Sequence, residues 1–295
     1  MADNIAKAPE GWRNFSDKVP LAAMVLRKGD LKKLHKIIND KQIEFRDRFM
    51  PVLALQPDKE TPEEFEARKK RCFESFVTSM TIQRLNGEML HGNNEAFLDE
   101  ANLPDQIGSI YFSTSSVPTT LGIVPASKIV VFIDFTRPPF FEFSRVPSLP
   151  TPNGSNFEVA SDNESLFVGT RARLVDFFNA RTTRANWLHG GAIYDIGLFF
   201  VGLPIAIWAA YHVSLVLDAA PKLPTIISSA IYIYIFFVAM NLFRVFFLYS
   251  RWVFPKVELE GERSAPLSHR VAWGGITLAV VGAAIWDAVR LIFGN

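Results

Sequence analysis

IGLFFVGLPIAIWAAYHVSLVL, residues 196–217, and LPTIISSAIYIYIFFVAMNLF, residues 223–243, contain no Asp, Glu, Lys or Arg. An α-helix rises about 1.5 Å per residue, so about 20 apolar residues match a hydrocarbon core about 30 Å thick. Each stretch is therefore read as a transmembrane helix. A third run begins at Val271, continues to Trp286 and passes through Asp287 and Arg290 to Phe293, which reads as a third span with a polar end. The spans are placed at about 195–217, 223–250 and 271–293, within a membrane module of residues 191–295.

The rest of the chain is different in kind. Residues 1–190 hold 24 Lys and Arg against 24 Asp and Glu and no apolar run of spanning length. A neutral part of this size can bury a core of its own, and its charge balance excludes a broad nucleic-acid footprint. Mean hydropathy of +0.14 for the whole chain fits this combination of two parts. Residues 1–19 alternate charges, lack the apolar core of a signal peptide and read as a flexible tail. Residues 20–190 then form the folded domain. Cys72 is the one cysteine, which excludes an intramolecular disulfide and a cysteine-cluster metal site.

Basic residues flank the first span (Arg171, Arg173, Arg181, Arg184) and fill the connection between the second and third (Arg251, Lys256, Arg263, Arg270), whereas the turn Asp218 to Leu223 has Lys222 alone. Positive charge near spans stays on the cytoplasmic side. The folded domain is expected in the cytosol and the C-terminus on the opposite side.

Within the domain, Asp30 is expected to cap a helix bearing Leu31, Leu34, Ile38, Phe45 and Phe49 on one face. Thr61-Pro62-Glu63-Glu64 combines an N-cap, a proline at the first helical position and a capping-box glutamate. Ser161-Asp162-Asn163-Glu164 reads as a second box, opening a helix that runs on through Trp187. Asn86-Gly87 between Thr81–Leu85 and Glu88–His91 predicts a hairpin. Further strands are expected at Ser109–Ser113, Lys128–Phe135 and Asn156–Ala160, the second covered on both faces because Ile129 to Ile133 are all apolar. Pro138, Pro139, Pro147, Pro150 and Pro152 mark a long surface loop. Helices with a small mixed sheet make an α+β domain, followed by an α-helical membrane module.

Phosphate-loop, dinucleotide, H-E-x-x-H and nucleophile-elbow motifs are absent, so no cofactor or metal is predicted. Asp134, at the end of the best strand, with Glu142 and Glu158, is the one carboxylate set worth testing as a catalytic site. In the membrane module the costly residues are Asp195, Arg244, His212, Asp287 and Arg290. Arg244 either snorkels to the interface or pairs with Asp195. Asp287 and Arg290 can neutralise each other at i and i+3, and a His212–Asp287 contact would be proton-linked. Gly202, Ala206, Ala210 and Ser214 form a small-residue stripe on the first span, and Gly275, Ala279 and Ala283 form one on the third. Such stripes permit close helix packing. Pro204 should kink the first span near Phe200. The bulky aromatic surface of the second span suits lipid or a neighbouring subunit.

Three functions fit. The first is a cytosolic sensing or interaction domain coupled to a three-helix anchor, with a bilayer, self-association or a membrane partner, and room for a small-molecule ligand. The second is an oligomeric pore gated by the soluble domain, and the third is a membrane-anchored enzyme.

Overall fold

The structure is a computed structural model that describes residues 14–55, 60–99, 101–139, 147–218, 224–260 and 266–293, except for the side chains of Asp218 and of part of the last helix, including Asp287. The chain divides into two compact units. One comprises Met1–Thr136, Asn153–Arg184 and Val257–Glu262; the other comprises Arg137–Pro152, Ala185–Lys256 and Arg263–Asn295.

The first unit is α+β. Its elements run β1 (Phe15–Pro20), β2 (Met24–Arg27), α1 (Lys28–Phe49), α2 (Pro62–Ser75), β3 (Ser79–Arg84), β4 (Met89–Gly92), β5 (Ile107–Ser113), α3 (Ser116–Thr120), β6 (Lys128–Asp134), β7 (Asn156–Ser161) and α4 (Glu164–Asn179). Six strands form one sheet in the order β1-β7-β6-β5-β3-β4, and every neighbouring pair is antiparallel. The parallel component of the mixed pairing is separate: β2 pairs with β8 (Val257–Glu260), a strand more than 200 residues later.

Local chemistry fixes the helix starts. Thr61 accepts from the Glu64 N–H while the Glu64 carboxylate accepts from the Thr61 N–H, closing the expected capping box. The other two starts differ from expectation. α1 begins at Lys28, and Asp30 serves as its third residue, accepting from the Arg27 N–H at 3.0 Å and from Arg181 at 2.8 Å. α4 is capped by Asn163, whose side chain accepts from the Leu166 N–H, while the Ser161 hydroxyl accepts from the Asn163 N–H one turn earlier. α4 stops at Asn179 and does not run through Trp187, since Arg184–His189 is a separate 3₁₀ turn.

The core lies on one face of the large sheet. Met80, Ile82, Ile110, Phe112, Ile129, Val131, Ile133, Phe157 and Val159 are fully buried, against Leu31, Leu34 and Ile38 of α1 and Leu174 and Phe178 of α4. Each such side chain contributes about 1.5–3 kcal/mol by leaving water. The apolar run in β6 is not covered on both faces: burial alternates, with Val130 and Phe132 only partly buried. The expected tail is also shorter, because Phe15–Pro20 pairs along β7 in register from Phe15 with Ser161 to Pro20 with Asn156. Leu26, Val257 and Leu259 belong to the same core, so the β2–β8 pair is part of the unit's interior.

The second unit is helical: α5 (Ile193–Gly197), a π-helical turn at Leu198–Gly202, α6 (Leu203–Asp218), α7 (Thr225–Val253) and α8 (Pro266–Phe293). Two helical segments, Ile193–Leu217 and Thr225–Val253, are long and apolar enough to cross a membrane. The π turn ends two residues before Pro204. Proline supplies no N–H, and the chain accommodates this by widening one turn at the place where a kink is expected. The proline-rich segment Arg137–Pro152 belongs to this unit, although it departs from β6 and returns to β7.

Candidate functional site at the end of a membrane-length helix

The apolar course of α7 ends at Tyr249-Ser250-Arg251-Trp252-Val253, and Arg251 is only 3% exposed. Its Nε donates to the Leu188 carbonyl at 3.1 Å, Nη1 to the carbonyls of Pro147 at 3.1 Å and Leu149 at 3.0 Å, and Nη2 to that of Gly190 at 3.1 Å. Its face lies over the Phe247 ring at 4.8 Å. A buried cation is costly unless hydrogen-bonded, and here four peptide dipoles take the place of water. The rigid guanidinium fork matches such an arrangement, whereas an ammonium would not span it.

The backbone that presents these carbonyls is irregular for identifiable reasons. Prolines at 147, 150 and 152 have no N–H, which keeps that segment out of helix and sheet. The other segment is the end of the Arg184–His189 turn, followed by Gly190, Gly191 and Ala192, the last at φ 47°. Gly191 runs beside Ser148 and Pro150 at ordinary van der Waals distance. The Thr151 N–H donates to the His189 carbonyl at 3.2 Å.

His189 is 4% exposed, and its Nδ1 lies 2.9 Å from the Thr151 hydroxyl. Its Nε2 makes no hydrogen bond among the described residues. Burial, then the positive charges of Arg251 and Lys256, push its pKa down to about 4 against a weak opposing pull from the Phe254 carbonyl, so the ring is neutral. Burial also holds the Lys256 ammonium below the usual lysine range. Nearby, the Ser148 hydroxyl donates to Asp195 at 2.6 Å. Tyr194 packs on Phe247 and Phe243, with ring centroids 5.2 and 5.8 Å away.

This arrangement clamps backbone segments, and its hydroxyl–imidazole pair, Thr151 with His189, is buried. Of the carboxylates considered for catalysis, the two described ones have separate partners. Asp134 accepts from the Thr136 N–H and hydroxyl, as a strand-ending turn residue does, and Glu158 pairs with Lys128 at 2.6 Å. Glu142 lies outside the described residues. Among the described residues no three His, Cys, Asp or Glu side chains form a metal-binding group. Cys72 is buried, and desolvation raises its thiol pKa. A surface cleft of about 360 Å³ in the first unit is lined by Arg84, Leu85, Asn86, Pro104, Asp105 and Gln106.

Of the remaining polar candidates, Asp195 and Arg244 share a neighbour and the others lie elsewhere. Asp195 takes the Ser148 hydroxyl, and both Asp195 and Arg244 are within electrostatic reach of Tyr194. His212 is exposed and lies edge-on to Trp208 and Tyr211. Arg290 is exposed, while the Asp287 side chain lies outside the description, so neither Asp287 contact can be placed. Gly202 and Ala206 are buried; a methyl on Gly202 would come within 3.0 Å of Phe243, which puts the neighbour of this stripe on α7 rather than on α8. Ala210 and Ser214 are half-buried. On α8, Gly275, Ala279 and Ala283 are exposed, and among the described residues no neighbouring atom lies within 4 Å of where a methyl on Gly275 would stand. The aromatic surface of α7 is divided. Tyr234 and Phe237 are exposed, but Phe243 and Phe247 turn inward and Phe246 stacks on Trp273.

The arginine clamp escapes a motif search because its partners are main-chain carbonyls, which every residue carries. The available signal is indirect: an arginine between Tyr249 and Trp252 at the end of an apolar helix, a proline-punctuated segment and a Gly-Gly pair. Comparison with protein-family models, characterised proteins and solved structures returns no match.

Proposed function

We propose that the chain is a multi-pass membrane protein whose α+β unit faces the cytosol as a sensing or interaction domain coupled to a three-helix membrane module. The carrying observation is the parallel pairing of β8 with β2 inside the first unit. Ile193–Leu217 and Thr225–Val253 separate these strands in sequence. A chain that leaves one compartment before the first helix and completes the same core after the second must cross an even number of times. The basic residues at both ends of this excursion favour the cytosolic side, and α8 then carries the C-terminus to the opposite side. Signal transfer is assigned to the Arg251 clamp, since the 147–149 and 188–190 segments that it holds lead by short connections to β7, α4 and α5. The bilayer and a second copy or membrane partner are the expected partners, and the cleft beside Arg84 is the candidate position for a small ligand.

With Cys72 replaced, single cysteines at Ala220 and Gly261 would be treated in intact cells with an impermeant thiol reagent. Labelling at Ala220 alone is the expected result. Labelling at Gly261 alone inverts the topology, and labelling at both or neither removes the paired crossing.

The uncovered small-residue face of α8 favours a second reading, in which copies associate through Gly275, Ala279 and Ala283 into a pore gated by the soluble unit. Ion conductance in liposomes that is lost on Ala279→Leu supports it. A chain that cross-links only as a monomer and conducts nothing excludes it.

A further inference from the structure

The cleft of the first unit opens where β3 ends, and its lining carries both signs of charge. Arg84 closes β3 at a register shift against β5, and an irregularity of this kind re-aims the side chain at that point. Leu85–Glu88 then leads into β4, held by the Arg84 N–H on the Glu88 carbonyl at 2.8 Å and by the Gly87 N–H on the Arg84 carbonyl at 3.0 Å. Pro104, Asp105 and Gln106, which lead into β5, supply the rest of the lining. At about 360 Å³ the cleft is at the small end of ligand sites, which run from about 300 to 1,000 Å³, so it suits a small molecule.

The polar groups of this lining have bonding capacity to spare. Arg84 Nη1 donates to Glu88 at 2.7 Å, Nε is buried without a hydrogen bond, and Nη2 makes none among the described residues. A carboxylate on the Nε–Nη2 edge would match the fork. The Asn86 side-chain oxygen accepts from the Glu88 N–H at 3.0 Å, which leaves its two amide hydrogens as donors. Asp105 is exposed and has no hydrogen bond or ion pair to a described residue. Leu85, 56% exposed, and Pro104 add apolar surface. A plain anion would be repelled by Asp105 and a plain cation by Arg84, whereas a molecule bearing both charges satisfies each. We infer that the cleft binds a free aliphatic amino acid as its zwitterion, with the carboxylate on Arg84 and Asn86, the ammonium on Asp105 and the side chain on Leu85 and Pro104. The inference rests on the sensing reading above and gives that site its ligand class.

The test titrates the full chain in detergent with L-leucine, N-acetyl-L-leucine and L-leucinamide, read by calorimetry and by thermal unfolding. L-leucine should bind and raise the unfolding temperature, and each blocked analogue, lacking one charge, should bind about tenfold more weakly. Arg84→Gln should weaken L-leucine about tenfold. Glu88→Gln breaks the same ion pair but leaves the guanidinium, so it should keep L-leucine bound. Asp105→Asn should weaken L-leucine by a similar factor and leave N-acetyl-L-leucine unchanged. Equal binding of the three probes, full binding by Arg84→Gln and Asp105→Asn, or no binding of L-leucine overturns the proposal. L-leucine binding by a chain that labels from outside at Gly261 alone supports the site and sinks the cytosolic reading. Absence of binding by a chain that labels at Ala220 alone sinks the site and leaves that reading standing.

Discussion

At the residue scale, Arg251 and His189 allow sharp expectations. Arg251→Lys keeps the charge but replaces a planar fork by a point donor, so some of the four carbonyls lose their partner within a buried site. A stability loss of about 2–4 kcal/mol is expected, measured by thermal or chemical unfolding in detergent, with exposed Lys36→Gln as a neutral control. His189 adds pH dependence. Its folded pKa is depressed to about 4 from 6.5, so the unfolded chain binds more protons between those values. Its stabilisation is therefore complete above about pH 6.5 and is lost as pH falls through about 4, with a full span of about 3 kcal/mol. Buried His35, also depressed by desolvation, contributes in the same direction. His189→Gln can keep the Thr151 contact without titrating, so its stability should vary less with pH over this window. An unchanged slope would mean that His189 does not control it.

At the element scale, the contact of the π turn and α6 with α7 is a steric question. Ala206 is fully buried, whereas Ile207 on the adjacent face is 64% exposed. Ala206→Leu should cost about 1–3 kcal/mol and Ile207→Leu almost nothing, read by thermal unfolding in detergent. Gly202→Ala should also destabilise, because its new methyl meets Leu198 and Phe243 at about 3 Å. Since the Gly202 and Ala206 contacts are internal to the protomer, cross-linking should be unchanged, and equal tolerance at 206 and 207 would remove the packing account. The sequence was legible where signals are local. Thr61-Pro62 announces α2, and β5, β6 and β7 appear as apolar or alternating runs. It was silent on β2 and β8, which have four residues each, end in charge and become strands through each other across most of the chain. Apolar composition alone also could not show that Val130 and Phe132 lie on the less buried face of β6. Arg251 was legible only as a topogenic charge, because main-chain carbonyl partners leave no motif.

At the scale of the whole molecule, the first unit is discontinuous, which affects how it can be isolated. Truncation after Arg184 retains the large sheet but removes Val257 and Leu259 from the core and leaves Met24 and Leu26 on an open strand. Such a fragment should aggregate or give broad amide NMR signals, and joining Val257–Glu260 back through a flexible linker should restore a monodisperse fold by gel filtration. A well-folded fragment without β8 would show that the small sheet is dispensable. The same strand also sets an order of events during synthesis. Between Arg184 and Val257 a ribosome working at roughly 5–20 residues per second spends about 4–15 s producing the two apolar helices. Throughout that interval the earlier part of the unit holds a vacant strand position, open to chaperones and to other nascent chains. Under the proposed topology that position is filled after the two helices have crossed and returned, which ties completion of the first unit to insertion.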